Sequence, residues 1–149
     1  MKFRFVDKII RYKEADYIEG LKVVSLEEYF LLNKLGCRNY FPQTLMAECL
    51  FQLANFLIFK TFKSKLAILT MFERIEFKRA LGPGDIMRMR VQLDSTIEEN
   101  IMLSGVGHVD GEEVIVGSGC LGVLINIEKL YDPDHYNQIF NNLYQIVQQ

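Results

Sequence analysis

Glu48 is the one charged residue inside PQTLMAECLFQLANFLIFK before its closing lysine (residues 42–60), and it is the acid best placed for proton chemistry. Gln52 follows four residues on and Asn55 seven, so in a helix the three polar groups share one stripe. A helix this apolar is buried nearly all round, and an ionised carboxylate inside it is costly unless something uses it. Two readings stand level: a hydrogen-bonded polar strip in a core helix, or an acid facing a ligand. Other proton carriers are scarce. His108 lies on a strand beside an Asp-Gly turn and His135 in the first turn of a helix, and both read as structural. Cys37, Cys49 and Cys120 are odd in number and widely spaced, which fits neither a disulfide framework nor a metal-ligating pattern, so no metal site is expected.

The elements that must position Glu48 follow from length and pattern. At 149 residues, half of them hydrophobic, the chain should form one globular domain, 1–149, with a substantial core. A net charge of −2 argues against nucleic acid as the main partner. The 42–60 run has the length of a membrane span, but Glu48, Gln52 and Asn55 would meet lipid unpaired. It reads as a buried helix with no membrane span. The N-terminus alternates charged and apolar residues without a secretory core, and a cytoplasmic protein is the expectation.

Residues 2–11 and 16–24 are strand-like. Ser25 and Glu28 have capping-box spacing, and Pro42 stands where a first helical residue belongs. After the helix come strand patterns over 66–79, over 87–94 (Met87, Met89, Val91 and Leu93 alternating with polar residues), and over 101–109 and 113–126 about Asp110-Gly111, a hairpin signal. Gly82-Pro83-Gly84-Asp85 is a turn signal. Asp132-Pro133 opens a last helix, about 132–147, with Tyr136, Ile139, Phe140, Leu143 and Val147 on one face. The fold class is α+β: an antiparallel sheet wrapped around one long helix.

With these elements in order, several motifs resemble the hot-dog-fold β-hydroxyacyl-acyl-carrier-protein dehydratases. That family carries a segment close to N-E-P-F-F-x-G-H-F-P-G-R-P-V-M-P-G-V-L-x-x-E-A-L-A-Q. Residues 27–52 read E-E-Y-F-L-L-N-K-L-G-C-R-N-Y-F-P-Q-T-L-M-A-E-C-L-F-Q against it without a gap. Pro42 falls on the helix-opening proline, Glu48 on the catalytic acid, Gln52 on the glutamine after it and Arg38 on the loop arginine. Residues 77–85 (FKRALGPGD) are similar to F-K-R-x-V-x-P-G-D, and residues 5–8 (FVDK) to L-V-D-R. The family histidine falls on Lys34.

The resemblance implies a hot-dog fold, a homodimer or an assembly of dimers, and a lyase acting on 3-hydroxyacyl thioesters in fatty-acid-type biosynthesis. The substrate would be carried on the phosphopantetheine of an acyl carrier protein, with no other cofactor. Glu48 would be the acid, supported by Gln52 and Arg38, and the backbone amides of Gln43 and Thr44 would hold the thioester oxygen. Lys34 would stand in for the base, as a lysine that is protonated at neutral pH unless burial intervenes. Loop packing and a catalytic role remain level for it, and reduced dehydration is expected. Phe51, Phe56, Met71, Met87 and Met89 are candidates to line an acyl tunnel, since aromatic and methionine side chains adapt to a flexible chain. Lys60, Lys63, Lys78, Arg79, Arg88 and Arg90 are candidates to dock an acidic carrier protein. The alternatives are a non-catalytic acyl-binding subunit paired with an active dehydratase, and a hot-dog thioesterase.

Overall fold

Alternating apolar residues and tight turns set the sheet. The structure, a computed structural model, describes residues 4–28 and 40–145. Its strands are β1 (Lys8–Lys13), β2 (Tyr17–Val23), β3 (Lys65–Phe77), β4 (Ile86–Ile97), β5 (Asn100–Val109) and β6 (Glu112–Asn126). They form one six-stranded sheet in the order β1-β2-β4-β5-β6-β3, every neighbouring pair antiparallel. The long helix α1 (Gln43–Phe62) lies across it, and a short 3-10 turn (Ile127–Lys129) leads into α2 (Pro133–Gln145). The α+β hot-dog architecture expected from the sequence is the one found.

Local chemistry explains the joints. Asp110 and Gly111 both have positive φ, 51° and 85°, as the tight hairpin between β5 and β6 requires. Gly20 is demanded by packing: a Cβ there would stand 2.8 Å from the Lys8 carbonyl oxygen and 2.9 Å from Leu53 Cδ1. Its absence lets α1 press onto the sheet. Met46, Cys49, Leu53 and Leu57 of α1 are wholly buried, as are Ile9, Ile18, Met87 and Met89 within the same core.

The Gly-Pro-Gly-Asp turn acts as a clasp beside the helix entry. Asp85 accepts from the Gly82 amide at 2.9 Å and from Arg79 Nη2 at 3.2 Å. Val24 donates to the Asp85 carbonyl at 2.9 Å, and Gly84 donates back to Val24 at 2.8 Å. Phe41 then donates to Leu81 at 2.7 Å. One turn therefore ties the exit of β2 to the start of α1. At the capping box, the Ser25 amide donates to Glu28 at 3.2 Å.

Two expectations shift in detail. The last helix runs from Pro133 to Gln145, so Val147 of its apolar face lies outside the described residues. The helix α1 is not covered on every side: Leu45, Glu48, Phe51, Asn55, Phe59 and Phe62 are only half-buried. They recur every three or four residues and form the stripe that the sheet does not reach.

Candidate active site

Glu48 opens onto a cavity between α1 and the edge strand β3. The cavity encloses about 390 Å³, within the range of small-molecule sites. Its floor is the polar stripe Glu48, Gln52 and Asn55 with Phe51; β3 supplies Leu66, Ala67, Leu69, Thr70, Met71 and Phe72. Leu130, Tyr131 and Tyr136 close it from the C-terminal segment.

The acid is held by a two-step relay. The Phe5 amide donates to Gln52 Oε1 at 2.9 Å, and Gln52 Nε2 donates to Glu48 Oε1 at 3.1 Å. A backbone N–H can only donate, so Gln52 must offer its carbonyl to Phe5 and its amide nitrogen to Glu48. That donor fixes the orientation of the Glu48 carboxyl group. Asn55 is used differently: its Oδ1 accepts from the Ala67 amide at 2.7 Å, fixing the start of β3 against the helix.

At the entry of α1, Pro42 makes no side-chain cap, and the first turn is closed by Leu45 and Met46 donating to the Pro42 carbonyl. Gln43 and Thr44 are exposed, and their amides make no hydrogen bond with any described residue. Free amides at a helix N-terminus suit a developing negative charge. They lie a turn ahead of Glu48 and outside the cavity lining.

The other predicted site residues divide. Phe51 and Met71 line the Glu48 cavity, and the Phe51 ring stacks on Phe72 at 4.9 Å. Phe56 is buried beyond Gln52, against Tyr136 at 5.1 Å. Met87 and Met89 are core residues under the helix and do not reach the cavity, because strand alternation turns them onto the packed inner face. Lys34 and Arg38 lie outside the described residues, as does Cys37. Among the described residues, the lining contains no histidine, lysine or cysteine.

The basic residues do not converge on one patch. Lys60 and Lys63 border a separate cleft at the C-terminal end of α1, whereas Lys78 and Arg79 follow the far end of β3. Thirteen residues of strand put those ends about 40 Å apart. Lys60 serves packing: its Nζ lies 4.2 Å over the Phe140 ring and donates to Asn137 Oδ1 at 2.9 Å, and desolvation lowers its pKa. Lys78 pairs with Glu113, Arg79 with Asp85 and Arg90 with Glu19. Arg88 and Lys63 pair with no described residue.

Sequence reading missed Lys22, which is 2% exposed. It pairs with Glu28 and with Asp7 at 3.4 Å, between the rings of Phe5 and Phe41. Burial pulls its pKa down, but the Glu28 hydrogen bond and the Asp7 charge outweigh that and raise it. Nearby, burial pushes the Cys49 thiol far up, so it stays an inert thiol. It also missed Tyr131 and Tyr136 as cavity walls. Only the periodicity of the last helix was visible, not the surface it would cover.

Comparison with known proteins follows the same outline. A family model described as a FabA-like domain matches residues 1–118. A 3-hydroxyacyl-[acyl-carrier-protein] dehydratase FabZ from Erwinia tasmaniensis is 30% identical over 116 residues, covering 75% of this chain and 77% of that protein. FabZ from a Thermoanaerobacter species is 32% identical over 114 residues, covering 75% and 80%. A hot-dog-like protein from Thermanaerovibrio acidaminovorans superposes with a TM-score of 0.63 at 15% identity, covering 87% of this chain and 93% of that one. The fluoroacetyl-CoA thioesterase FlK gives a TM-score of 0.65 at 13% identity, covering 86% and 97%. Both structural likenesses speak to the fold.

Proposed function

The chain belongs to the FabA-like family of dehydratase domains, and we propose that it binds 3-hydroxyacyl thioesters and eliminates water from them, with Glu48 as the acid. The observation that carries this reading is the relay from Phe5 through Gln52 to Glu48 at the head of an apolar-walled cavity. In the elimination a base takes the proton from C2, its electron pair forms the C2–C3 double bond, and the C3–O bond breaks. Glu48 gives its proton to the departing hydroxyl, which leaves as water, and the Gln52 amide supports the carboxylate left behind. The free amides of Gln43 and Thr44 hold the thioester oxygen while the enolate charge develops. The substrate arrives on the phosphopantetheine of an acidic carrier protein, which docks near the helix entry, where Lys78, Arg79 and Arg88 lie.

The base is the weak element. Lys34 occupies the family histidine position, and as an ammonium it takes protons poorly, so turnover is slow. A lysine at the family histidine position favours a second reading, a non-catalytic acyl-binding subunit. One experiment separates them. Carrier-bound 3-hydroxyacyl substrates are followed for enoyl formation with wild type, Lys34→His and Glu48→Gln. Slow wild-type turnover, raised by Lys34→His toward the factor of about 10²–10⁴ that a positioned base supplies, and abolished by Glu48→Gln, supports dehydration. Fast turnover that survives Glu48→Gln overturns the assignment of the acid. Tight binding with no turnover in any variant supports the binding subunit.

A further inference from the structure

The end of the cavity remote from the helix entry is built by residues outside the matched family domain. Leu130, Tyr131 and Tyr136 follow residue 118, where the family match stops, yet they wall the same cavity as Glu48. Tyr136 is held hard in place: its ring meets Phe56 and Phe59 at 5.1 Å and Tyr131 at 5.7 Å, and it is 5% exposed. Its hydroxyl nevertheless makes no hydrogen bond with any described residue. Its oxygen keeps contact with solvent at the cavity wall, so it can donate to a polar group of a ligand there. Burial raises its pKa, which keeps it a neutral donor.

Asn55, on the floor of the same cavity, is a second donor. Its Oδ1 is committed to the Ala67 amide, which leaves Nδ2 as the outward donor, and no described residue accepts from it. Two donors, one from each helix, thus border one cavity whose other walls are aromatic and aliphatic apart from Glu48, Gln52 and Thr70. Asn55 is seven residues past Glu48, about 10 Å along the helix axis. Extended chain advances roughly 1.2 Å per bond, so that distance spans about eight or nine bonds.

We propose that Asn55 and Tyr136 form a polar subsite selecting acyl thioesters whose chain carries an oxygen acceptor, a hydroxyl or carbonyl, eight or nine bonds beyond the carbon that faces Glu48. The proposal rests on the acyl-thioester reading of the cavity and names its substrate class. A plain alkyl chain of the same length leaves both donors unfilled. An oxygenated one satisfies them, and the aromatic walls hold the intervening methylenes.

Binding rather than turnover tests this, so the outcome does not depend on the base. Two pantetheine thioethers, of roughly twelve carbons to match that spacing, are titrated by calorimetry, one plain and one ending in a hydroxyl. Wild type should bind the hydroxyl-ended ligand about fivefold more tightly, the worth of about one net hydrogen bond. Tyr136→Phe keeps the ring packing, and Asn55→Asp keeps an acceptor for Ala67. Each should bring the ratio near one. Equal binding by wild type, or a preference that survives both substitutions, overturns the subsite. Failure of wild type to bind either ligand overturns the acyl-thioester reading instead.

Discussion

Gln52 and Lys22 show how single buried polar groups can be fixed by partners far along the chain. Gln52 bridges the Phe5 amide and Glu48, so Gln52→Leu leaves a backbone donor unanswered and frees the acid to rotate. Its expected cost is about 1–3 kcal/mol in chemical denaturation, together with reduced turnover. Stability lost with turnover unchanged would show that the relay serves packing alone. Lys22 binds Glu28 and Asp7, both of which keep contact with water, so Lys22→Met should cost about 2 kcal/mol rather than the larger loss of a fully buried pair. Because the folded pKa is raised, this contribution is fully present below the ordinary lysine value near 10.4. It is lost as the pH climbs through the higher folded value. Thermal unfolding of wild type and Lys22→Met from pH 7 to 11.5 should therefore show a gap that is constant at first and narrows at the alkaline end.

At the scale of elements, α2 fastens the exposed edge of the domain by an aromatic seam. Tyr12 of β1 meets Phe140 at 5.1 Å and Tyr144 at 5.4 Å, and Phe140 also touches Phe56 of α1. Phe140 is 1% exposed, so Phe140→Ala removes the keystone of three elements. A loss of about 3–5 kcal/mol is expected from urea denaturation. A loss under 1 kcal/mol would mean that α2 is dispensable to the fold. The Lys60 ammonium over the Phe140 ring ties the same helix to the end of α1.

For the whole molecule, the sheet ends on one side in β3, thirteen residues long and, among the described residues, without a strand on its outer edge. Ile68 and Met71 project from it largely exposed, beside the half-covered stripe of α1. A long apolar edge left open invites pairing. A second copy joined along β3 would cover both the edge and the stripe. Sedimentation at micromolar concentration should give a dimer, and Ile68→Lys, a charge on the edge, should shift it toward monomer. A wild-type monomer at that concentration would refute the paired assembly.

What the sequence determined by itself was whatever depends on neighbours within a few residues. The apolar run with Glu48, Gln52 and Asn55 spaced along one stripe specified the helix and its polar face. The Asp110-Gly111 turn and the alternation from Met87 to Leu93 specified strands and a hairpin, because turn chemistry and pleat are local. Glu48 and Gln52 were both named from that spacing, and their direct hydrogen bond is an i, i+4 contact that a helix makes unavoidable. Only the tertiary structure decided which apolar residues are core and which border the cavity. Met87 and Met89 are of the same type and alternation as exposed Met71, but Met71 lies on the edge strand beside the cavity and they lie on the inner strand β4 beneath the helix. Nor did the residues around Lys22, Tyr131 or Tyr136 disclose their surroundings. Each is fixed by partners brought from other elements, and such packing is written in the order of strands and the landing place of α2 rather than in any local pattern.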